Sequence, residues 1–224
     1  MIHPYYQDDS VTIYHGDCRD VLSTLAADDL TVVSDVPYGR ALRSSRNGAH
    51  GDCRIENDTD TALRDWLIAW ASERDVPCIL FGSPAVARPV GLTADRVLIW
   101  DKGDHVGMGD LSWPWKPNYE EIYILGEGFA GPRTSSVLRF HAIAGTVAVT
   151  QGRTHPTEKP VPLLRSLVLK CPGVLILDPF MGTGSALLAA KSVGRRAIGV
   201  ELRERYCEIA ANRMSQTVMA FDAA

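Results

Sequence analysis

Short apolar runs alternate with longer amphipathic segments along most of the chain. The apolar runs have the length and β-branched content of buried strands, and they lie at 11–14, 31–34, 78–83, 97–103, 121–128, 174–177 and 197–200. The amphipathic segments repeat apolar residues at helical spacing, and they lie at 18–27, 61–73, 161–170, 185–193 and 203–214. The pattern predicts that strands and helices alternate at both ends of the chain.

Alternation of strand and helix predicts a doubly wound α/β sheet with parallel strands and right-handed crossovers. The runs at 97–103 and 121–128 instead follow each other without a helix between them. In sheets of this class, ligands bind beyond the carboxyl ends of the strands. Residues that directly follow strands are therefore the first candidates for a functional site.

With 224 residues, the chain has the size of a single domain, and no repeat or low-complexity linker divides it. No apolar stretch approaches the roughly 20 residues that span a bilayer, and the N-terminus lacks the apolar run of a signal peptide. The five cysteines form no C-x-x-C pair, which argues against a zinc cluster and a disulfide framework. We therefore expect a cytoplasmic protein with free thiols, no metal and no membrane contact.

The net charge of −4 argues against a polyanion ligand, because nucleic-acid-binding proteins usually carry a basic excess. Charge acts locally, however, and Arg40, Arg43 and Arg46 crowd into a polar segment at 40–58. From charge alone, a solvated surface is the favoured interpretation. The segment is either a lid that orders over ligands or an ordinary mobile loop.

The sequence DPFMGTGS at 178–185 follows an apolar strand and opens a helix. Its glycines fall where the backbone must turn sharply and approach a ligand. A glycine turn alone can be purely structural, and this spacing fits neither the phosphate-binding loop nor the dinucleotide fingerprint. The following strand ends in Glu201, which is placed to accept hydrogen bonds from ribose hydroxyls. Together these features favour a ligand that contains ribose.

DPFMGTGS matches every position of D-P-F-x-G-[ST]-G-[ST], the cofactor motif of the DNA adenine-N6 and cytosine-N4 methyltransferases. HPTEKP at 155–160, GDC at 16–18 and DVPY at 35–38 are similar to further signatures of that family. The chain resembles the family over nearly its whole length, and the order of its two loops resembles that of the beta group. The resemblance implies one methyltransferase domain over 1–224, with a Rossmann-like, mostly parallel sheet, an antiparallel hairpin and helices on both faces.

By the same resemblance, the cofactor is S-adenosylmethionine, which leaves as S-adenosylhomocysteine. Asp178 then binds the amino group of its methionine part, Phe180 packs beside it, and Asp17 lies close to its adenine. The residues implied in cofactor binding are Asp17, Thr157, Lys159, Asp178, Phe180, Gly182, Gly184, Ser185 and Glu201. For Asp17, capping of the helix that follows is nearly as good an explanation.

The loop Asp35-Val36-Pro37-Tyr38 carries the chemistry that the resemblance implies, methylation of an exocyclic amine. The lone pair of such an amine is delocalised into the base, so acceptors must hold its hydrogens while positive charge develops. The Asp35 carboxylate and the Val36 carbonyl can serve as these acceptors, and Tyr38 can stack on a base flipped from the duplex. The family usually has proline where Val36 stands, and Pro37 still holds Val36 in an extended conformation.

A segment at 104–152 separates the catalytic half from HPTEKP and is predicted to be a small embedded target-recognition segment. Its aromatic side chains can stack on bases, but a small core or a dimer interface explains each of them about equally well. Basic side chains can meet phosphates or guanine edges. The residues predicted to contact nucleic acid are Arg40, Arg43, Arg46, Trp113, Lys116, Arg133 and Arg139.

Asp35 favours adenine-N6 as the methylated atom, because cytosine-N4 enzymes of this family more often have serine there. The predicted function is methyl transfer to a flipped adenine in double-stranded DNA. Methylation of cytosine-N4 is one alternative, and a catalytically silent DNA-binding or partner-binding relative is another, since Val36 departs from the pattern. The short recognition segment predicts a short target sequence or a second subunit, so a homodimer is our hypothesis.

Overall fold

The computed structural model describes residues 2–26, 28–37, 60–104, 112, 114–116, 118–142 and 158–221. The strands within these ranges are β1 (Tyr6–Gln7), β2 (Val11–His15), β3 (Leu30–Ser34), β4 (Cys78–Gly82), β5 (Val97–Asp101), β6 (Tyr119–Leu125), β7 (Val137–Arg139), β8 (Leu175–Asp178) and β9 (Arg196–Glu201). The helices are α1 (Cys18–Leu22), α2 (Ala62–Ser72), α3 (Val161–Val168), α4 (Ser185–Lys191) and α5 (Glu204–Phe221).

All of these strands belong to one sheet, in the order β1-β2-β9-β8-β3-β4-β6-β5-β7. The strands from β2 to β4 in this order are parallel neighbours. β6 runs antiparallel to both β4 and β5. The fold prediction is confirmed, because the sheet is mostly parallel and β5 and β6 form its antiparallel hairpin.

Alternate residues of the central strands supply two separate cores, because successive side chains of a strand point to opposite faces. Val33, Ile79 and Ile122 pack with α3, α4 and α5 on one face. Val32 and Leu80 pack with α1 and α2 on the other face. Helices therefore cover both faces of the sheet, as predicted.

One edge of the sheet collects strand ends that lie far apart in the sequence. The carboxyl ends of the five parallel strands share this edge. β6 runs the other way and so begins here, with Glu121 opposite Gly82. β5 ends at the same edge, with Trp100 opposite Glu120. Residues after the parallel strands can therefore meet the first residues of β6.

The element bounds differ from the predictions mainly at the ends. The first helix stops at Leu22 rather than at 27, and α5 continues to Phe221 rather than ending at 214. The pattern does not predict β1 or β7, because strands of two and three residues are too short to show a period. The segment predicted for target recognition contributes β6 and β7 to the central sheet. Within the described ranges, no helix combines the length and the apolar character of a membrane span.

Candidate active site

The first residue of the glycine loop, Asp178, is a buried carboxylate at the end of β8. Its Oδ1 atom accepts a hydrogen bond of 2.6 Å from the Ser34 hydroxyl and one of 3.1 Å from the Phe180 N–H. Burial nevertheless raises the pKa of Asp178 to about 7. A carboxylate held in this way gains most from a ligand that brings a positive charge.

The two glycines of the loop have different surroundings. Gly182 has a φ angle of 50°, and a Cβ added there would meet nothing within 4 Å. Gly184 has a φ angle of 80°, and a Cβ added there would lie 3.1 Å from the Cβ of Ala210 and 3.3 Å from the Cε of Met214. Gly182 therefore leaves open space beside the loop, whereas Gly184 lets α4 pack closely against α5.

Glu201 ends β9 and connects that strand to the glycine loop. Its Oε2 atom accepts a 3.1 Å hydrogen bond from the Gly182 N–H, and its Oε1 atom accepts one of 2.8 Å from the Arg203 N–H. Burial raises the pKa of Glu201. The Leu202 N–H also interacts with this carboxylate, and since a carboxylate has about four acceptor positions, the three backbone donors do not fill them all.

Two other predicted cofactor residues make contacts within the protein. Asp17 caps α1, and its Oδ1 atom accepts a hydrogen bond of 2.8 Å from the Arg19 N–H, so the alternative explanation of Asp17 as a helix cap agrees with the structure. The Ser185 hydroxyl donates to Glu158 at 3.0 Å, and Arg213 pairs with the same carboxylate at 2.7 Å. Through Glu158, the end of the glycine loop is joined to α5 and to the segment before α3. Phe180 is half-buried beside the core that α1 and α2 cover.

The second loop leaves β3 one strand away from Asp178. Val36, which stands where the family usually has proline, is fully buried. Its side chain packs into the apolar core under α1 and α2. Asp35 directs its Oδ2 atom to Lys159 at 2.5 Å. Its Oδ1 atom is buried and has no hydrogen-bond partner among the residues that the structure describes. That oxygen therefore has unused capacity to accept a hydrogen bond.

Lys159 connects this loop to two residues that the motifs do not include. Its Nζ atom lies 3.2 Å from Glu120 at the start of β6, and Glu120 is 2.5 Å from the Nζ atom of Lys102 after β5. Burial opposes ionisation of Glu120, but the two lysines outweigh it and lower its pKa. The available sequence signal is weak: Glu120 and Lys102 are charged residues at the ends of apolar runs.

The predicted DNA contacts that the structure describes lie on the surface. Arg133 is exposed, Lys116 is exposed and donates to the Asp104 carbonyl at 2.9 Å, and Arg139 lies 3.5 Å from Asp101 with 84% of its side chain exposed. The predicted site residues outside the described residues are Tyr38, Arg40, Arg43, Arg46, Trp113 and Thr157.

Comparison with known proteins gives matches to DNA methyltransferases. A family profile described as DNA methylase matches residues 99–212. The Type II methyltransferase M.ScaI of Streptomyces caespitosus is 40% identical over 271 aligned positions, which cover 94% of this chain and 83% of that protein. Matches to the Type II methyltransferases M.HinfI of Haemophilus influenzae and M2.DpnII of Streptococcus pneumoniae are local. They are 38% and 44% identical and cover only 18% and 23% of those proteins.

Solved structures of methyltransferases share the fold. PvuII DNA methyltransferase (cytosine-N4-specific) has a TM-score of 0.64 at 16% identity, over 93% of this chain and 87% of that one. The M1.HpyAVI–SAM complex has a TM-score of 0.61 at 19% identity, over 91% of this chain and 99% of that one.

A mixed sheet of this topology, with a glycine loop at its carboxyl edge, defines the Rossmann-like methyltransferase class. Within that class, the chain belongs to the DNA methylase family, the group of adenine-N6 and cytosine-N4 amino-methyltransferases. The predicted cofactor, S-adenosylmethionine, is confirmed at the level of the family, and the description of the family names DNA as the molecule that is methylated.

Proposed function

We propose that this chain transfers a methyl group from S-adenosylmethionine to the exocyclic N6 of an adenine flipped out of double-stranded DNA. The observation that carries this function is the link between the two loops. Ser34 directly precedes Asp35, and its hydroxyl donates a 2.6 Å hydrogen bond to Asp178. The carboxylate proposed to hold the target amine is thereby fixed beside the carboxylate proposed to hold the cofactor.

The residues at this edge fit S-adenosylmethionine. Asp178 is a buried carboxylate that can pair with the ammonium of the methionine part. Open space at Gly182 allows the ligand to approach the backbone, and Glu201 retains acceptor capacity for a ribose hydroxyl. We extend cofactor binding to Asp17 and Phe180, which lie beside the same edge.

When bound, S-adenosylmethionine supplies a methyl group activated by its sulfonium. The chain has to orient the amine and stabilise the positive charge that develops on it. We assign the acceptors for the amine hydrogens to Oδ1 of Asp35 and to the Val36 carbonyl. The choice of adenine rests on the identity of Asp35, since cytosine-N4 enzymes of this family more often have serine there. Its carboxylate accepts from the amine and can take the proton that the methylated amine loses.

DNA contact is assigned first to Arg139, an exposed basic side chain that ends β7 at this edge and can approach phosphates. Arg133 precedes that strand and follows Pro132, which accepts a hydrogen bond from Lys170 before β8, so Arg133 can reach only DNA that extends toward the opposite edge. With so small a recognition segment, we further propose that two copies act on one DNA site. Sedimentation that gives a monomer both alone and with DNA would remove the dimer from this scheme.

Incubation with tritiated S-adenosylmethionine and duplex DNA, followed by separation of the nucleosides, tests the function directly. We expect label in N6-methyladenine with the wild type and none with Asp35→Ala. Asp29→Ala serves as the control, because Asp29 lies in the turn before β3, at the opposite end of that strand.

Each other result has a distinct meaning. Label in N4-methylcytosine would reverse the choice of base. Cofactor binding without label in DNA would identify a catalytically silent DNA-binding relative, in which valine in place of proline at position 36 has made the loop inactive. Much stronger labelling of RNA than of DNA would overturn the substrate.

A further inference from the structure

Lys159 lies between two carboxylates from distant parts of the chain. Its Nζ atom is 2.5 Å from Oδ2 of Asp35 and 3.2 Å from Oε2 of Glu120. Lys102 contacts the other oxygen of Glu120 at 2.5 Å. These side chains come from four places in the fold and form a row of alternating charge: Asp35 after β3, Lys159 before α3, Glu120 near the start of β6 and Lys102 after β5.

The surroundings of Lys159 are largely dry. Its side chain is 6% exposed, and its Nζ atom lies 5.1 Å from the centroid of the Phe81 ring and 5.9 Å from that of Trp100. A buried ammonium is costly unless carboxylates and aromatic faces compensate it. The ion pair with Lys159 fixes Oδ2 of Asp35, and Oδ1 has no hydrogen-bond partner among the described residues. One oxygen of Asp35 is thus anchored and the other is left for a new donor.

We propose that Lys159 is a positioning residue, which holds Asp35 ionised and turned so that Oδ1 accepts from the target amine, while Glu120 shares the lysine charge. This role rests on the proposed function, because it concerns the acceptor of the methylated amine. It differs from the part in cofactor binding that the resemblance implies for Lys159.

Sharing the charge of Lys159 between Asp35 and Glu120 keeps Asp35 a good hydrogen-bond acceptor. An ammonium that faces a single carboxylate draws charge from it and weakens it as an acceptor, whereas two carboxylates divide this pull. Burial is the main cause that raises the pKa of Asp35, the charge of Glu120 raises it further, and Lys159 and Lys102 oppose the rise. Asp178 is a further carboxylate close enough to interact with Asp35.

Two substitutions should therefore move the titration of Asp35 in opposite directions. In Lys159→Met, ionised Asp35 loses its compensating cation, so its pKa rises. In Glu120→Gln, Asp35 loses a repelling charge and keeps its lysine, so its pKa falls. We expect the acid limb of the kcat profile to move up by about one pH unit or more in Lys159→Met, with kcat about tenfold lower near neutral pH. In Glu120→Gln the limb moves down, and the Kd for S-adenosylmethionine stays within about threefold of wild type in both.

The chain offers a matched control for each substitution. Lys191→Met removes another largely buried lysine, which pairs with Asp8 at 2.6 Å. Glu121→Gln removes the adjacent carboxylate, which pairs with Arg88 rather than with Lys159. Because neither control changes a charge that contacts Asp35, the acid limb should stay at its wild-type position in both.

The carboxyl carbon-13 resonance of Asp35, assigned by its loss in Asp35→Asn, reports the same pKa without a methylation assay. A wild type that methylates no DNA would end the proposed function, while this titration would still show whether Lys159 controls Asp35. An equal Asp35 pKa in wild type and in folded Lys159→Met would overturn the positioning role. Weaker cofactor binding with an unchanged acid limb would place Lys159 at the cofactor instead.

Loss of folding in Lys159→Met would leave two informative variants. Lys159→Arg keeps the charge and should hold the Asp35 pKa within about half a unit of wild type, and Glu120→Gln should lower it. A rise of the pKa in Glu120→Gln would contradict the shared charge and overturn the proposal.

Discussion

The hydroxyl of Ser34 donates a hydrogen bond of 2.6 Å to Oδ1 of Asp178, and both side chains are buried. They belong to the adjacent parallel strands β3 and β8, so the contact joins the two loops that follow these strands. A disturbance of one loop can therefore reach the other without passing through a ligand.

Removal of this hydroxyl in Ser34→Ala should weaken binding of S-adenosylmethionine by about tenfold, the size of one hydrogen bond to a charged group. The Ser34 hydrogen bond lowers the pKa of Asp178, so its loss raises that pKa and leaves less carboxylate at neutral pH. Isothermal titration calorimetry measures the change. Ser192→Ala is the control, because that hydroxyl donates to the Ala189 carbonyl of α4 and not to a residue of the site. Equal Kd values for the two variants would contradict the link.

Cofactor binding should weaken as the pH falls through the pKa of Asp178, which is about 7. Above that pH the carboxylate is charged and can pair with an ammonium, whereas below it the carboxyl group is neutral. The Kd should approach a tenfold rise for each unit below the pKa. Calorimetry at constant ionic strength tests this, with Asp178→Asn expected to bind weakly at every pH. A wild-type Kd that does not change with pH would show that Asp178 does not pair with the ammonium group of the cofactor.

The same carboxyl group should make the protein without cofactor less stable at high pH. Its pKa rises from 3.8 to about 7 on folding, so the folded state holds the proton more tightly, and stability falls as the pH increases between these values. Asp178→Asn keeps an acceptor for Ser34 and should raise the free energy of unfolding by about 1–3 kcal/mol near pH 8, with little change near pH 4. Urea unfolding at both pH values is the measurement. A loss of stability near pH 8 would be the contrary result.

Alanine substitutions at Gly182 and Gly184 should separate ligand approach from helix packing. In Gly184→Ala, the positive φ and the contact with Ala210 should lower the free energy of unfolding by about 1–3 kcal/mol. Gly182→Ala adds a methyl group to open space, so its cost in stability should be about 1 kcal/mol. Its Kd for S-adenosylmethionine should rise by about tenfold or more if the ligand fills that space. Unchanged binding in Gly182→Ala would place the ligand elsewhere.

Val36 should contribute its side chain to stability and its main chain to catalysis. Val36→Ala removes a fully buried side chain and should lower the free energy of unfolding by about 1–3 kcal/mol, as should the control Val33→Ala in the opposite core. The kcat of folded Val36→Ala should stay within about threefold of wild type, because the carbonyl is retained. A much larger loss of kcat than in Val33→Ala would assign the valine side chain a part in shaping the loop.

The positions of Asp178 and Glu201 could be predicted because each depends on residues close to it in the sequence. The apolar run before Asp178 and the glycines after it place that carboxylate at the end of a strand, and Glu201 follows from the next strand. Parallel strands then bring both residues to one edge. Local pattern and the geometry of parallel sheets were sufficient for this part of the site.

The ion pairs of Asp35 could not be predicted in the same way. Lys159 is 124 residues from Asp35, and no period relates them. The position of Glu120 depends on the antiparallel direction and the exact pairing of β6, which a run of apolar residues does not specify. A contact fixed by register is therefore visible only in the folded chain.

The placement of β6 between β4 and β5 has an evolutionary consequence. Both neighbours hold the strand in register, and a slip by one residue would move Glu120 out of its place and put Tyr119 or Glu121 opposite Trp100. The connection between Lys102 and Asn118 can thus lengthen, shorten or change its residues while Glu120 keeps its place and its contact with Lys102. Because the connection belongs to the segment predicted for target recognition, we expect that a lineage could change its DNA target there and still inherit the same chemistry.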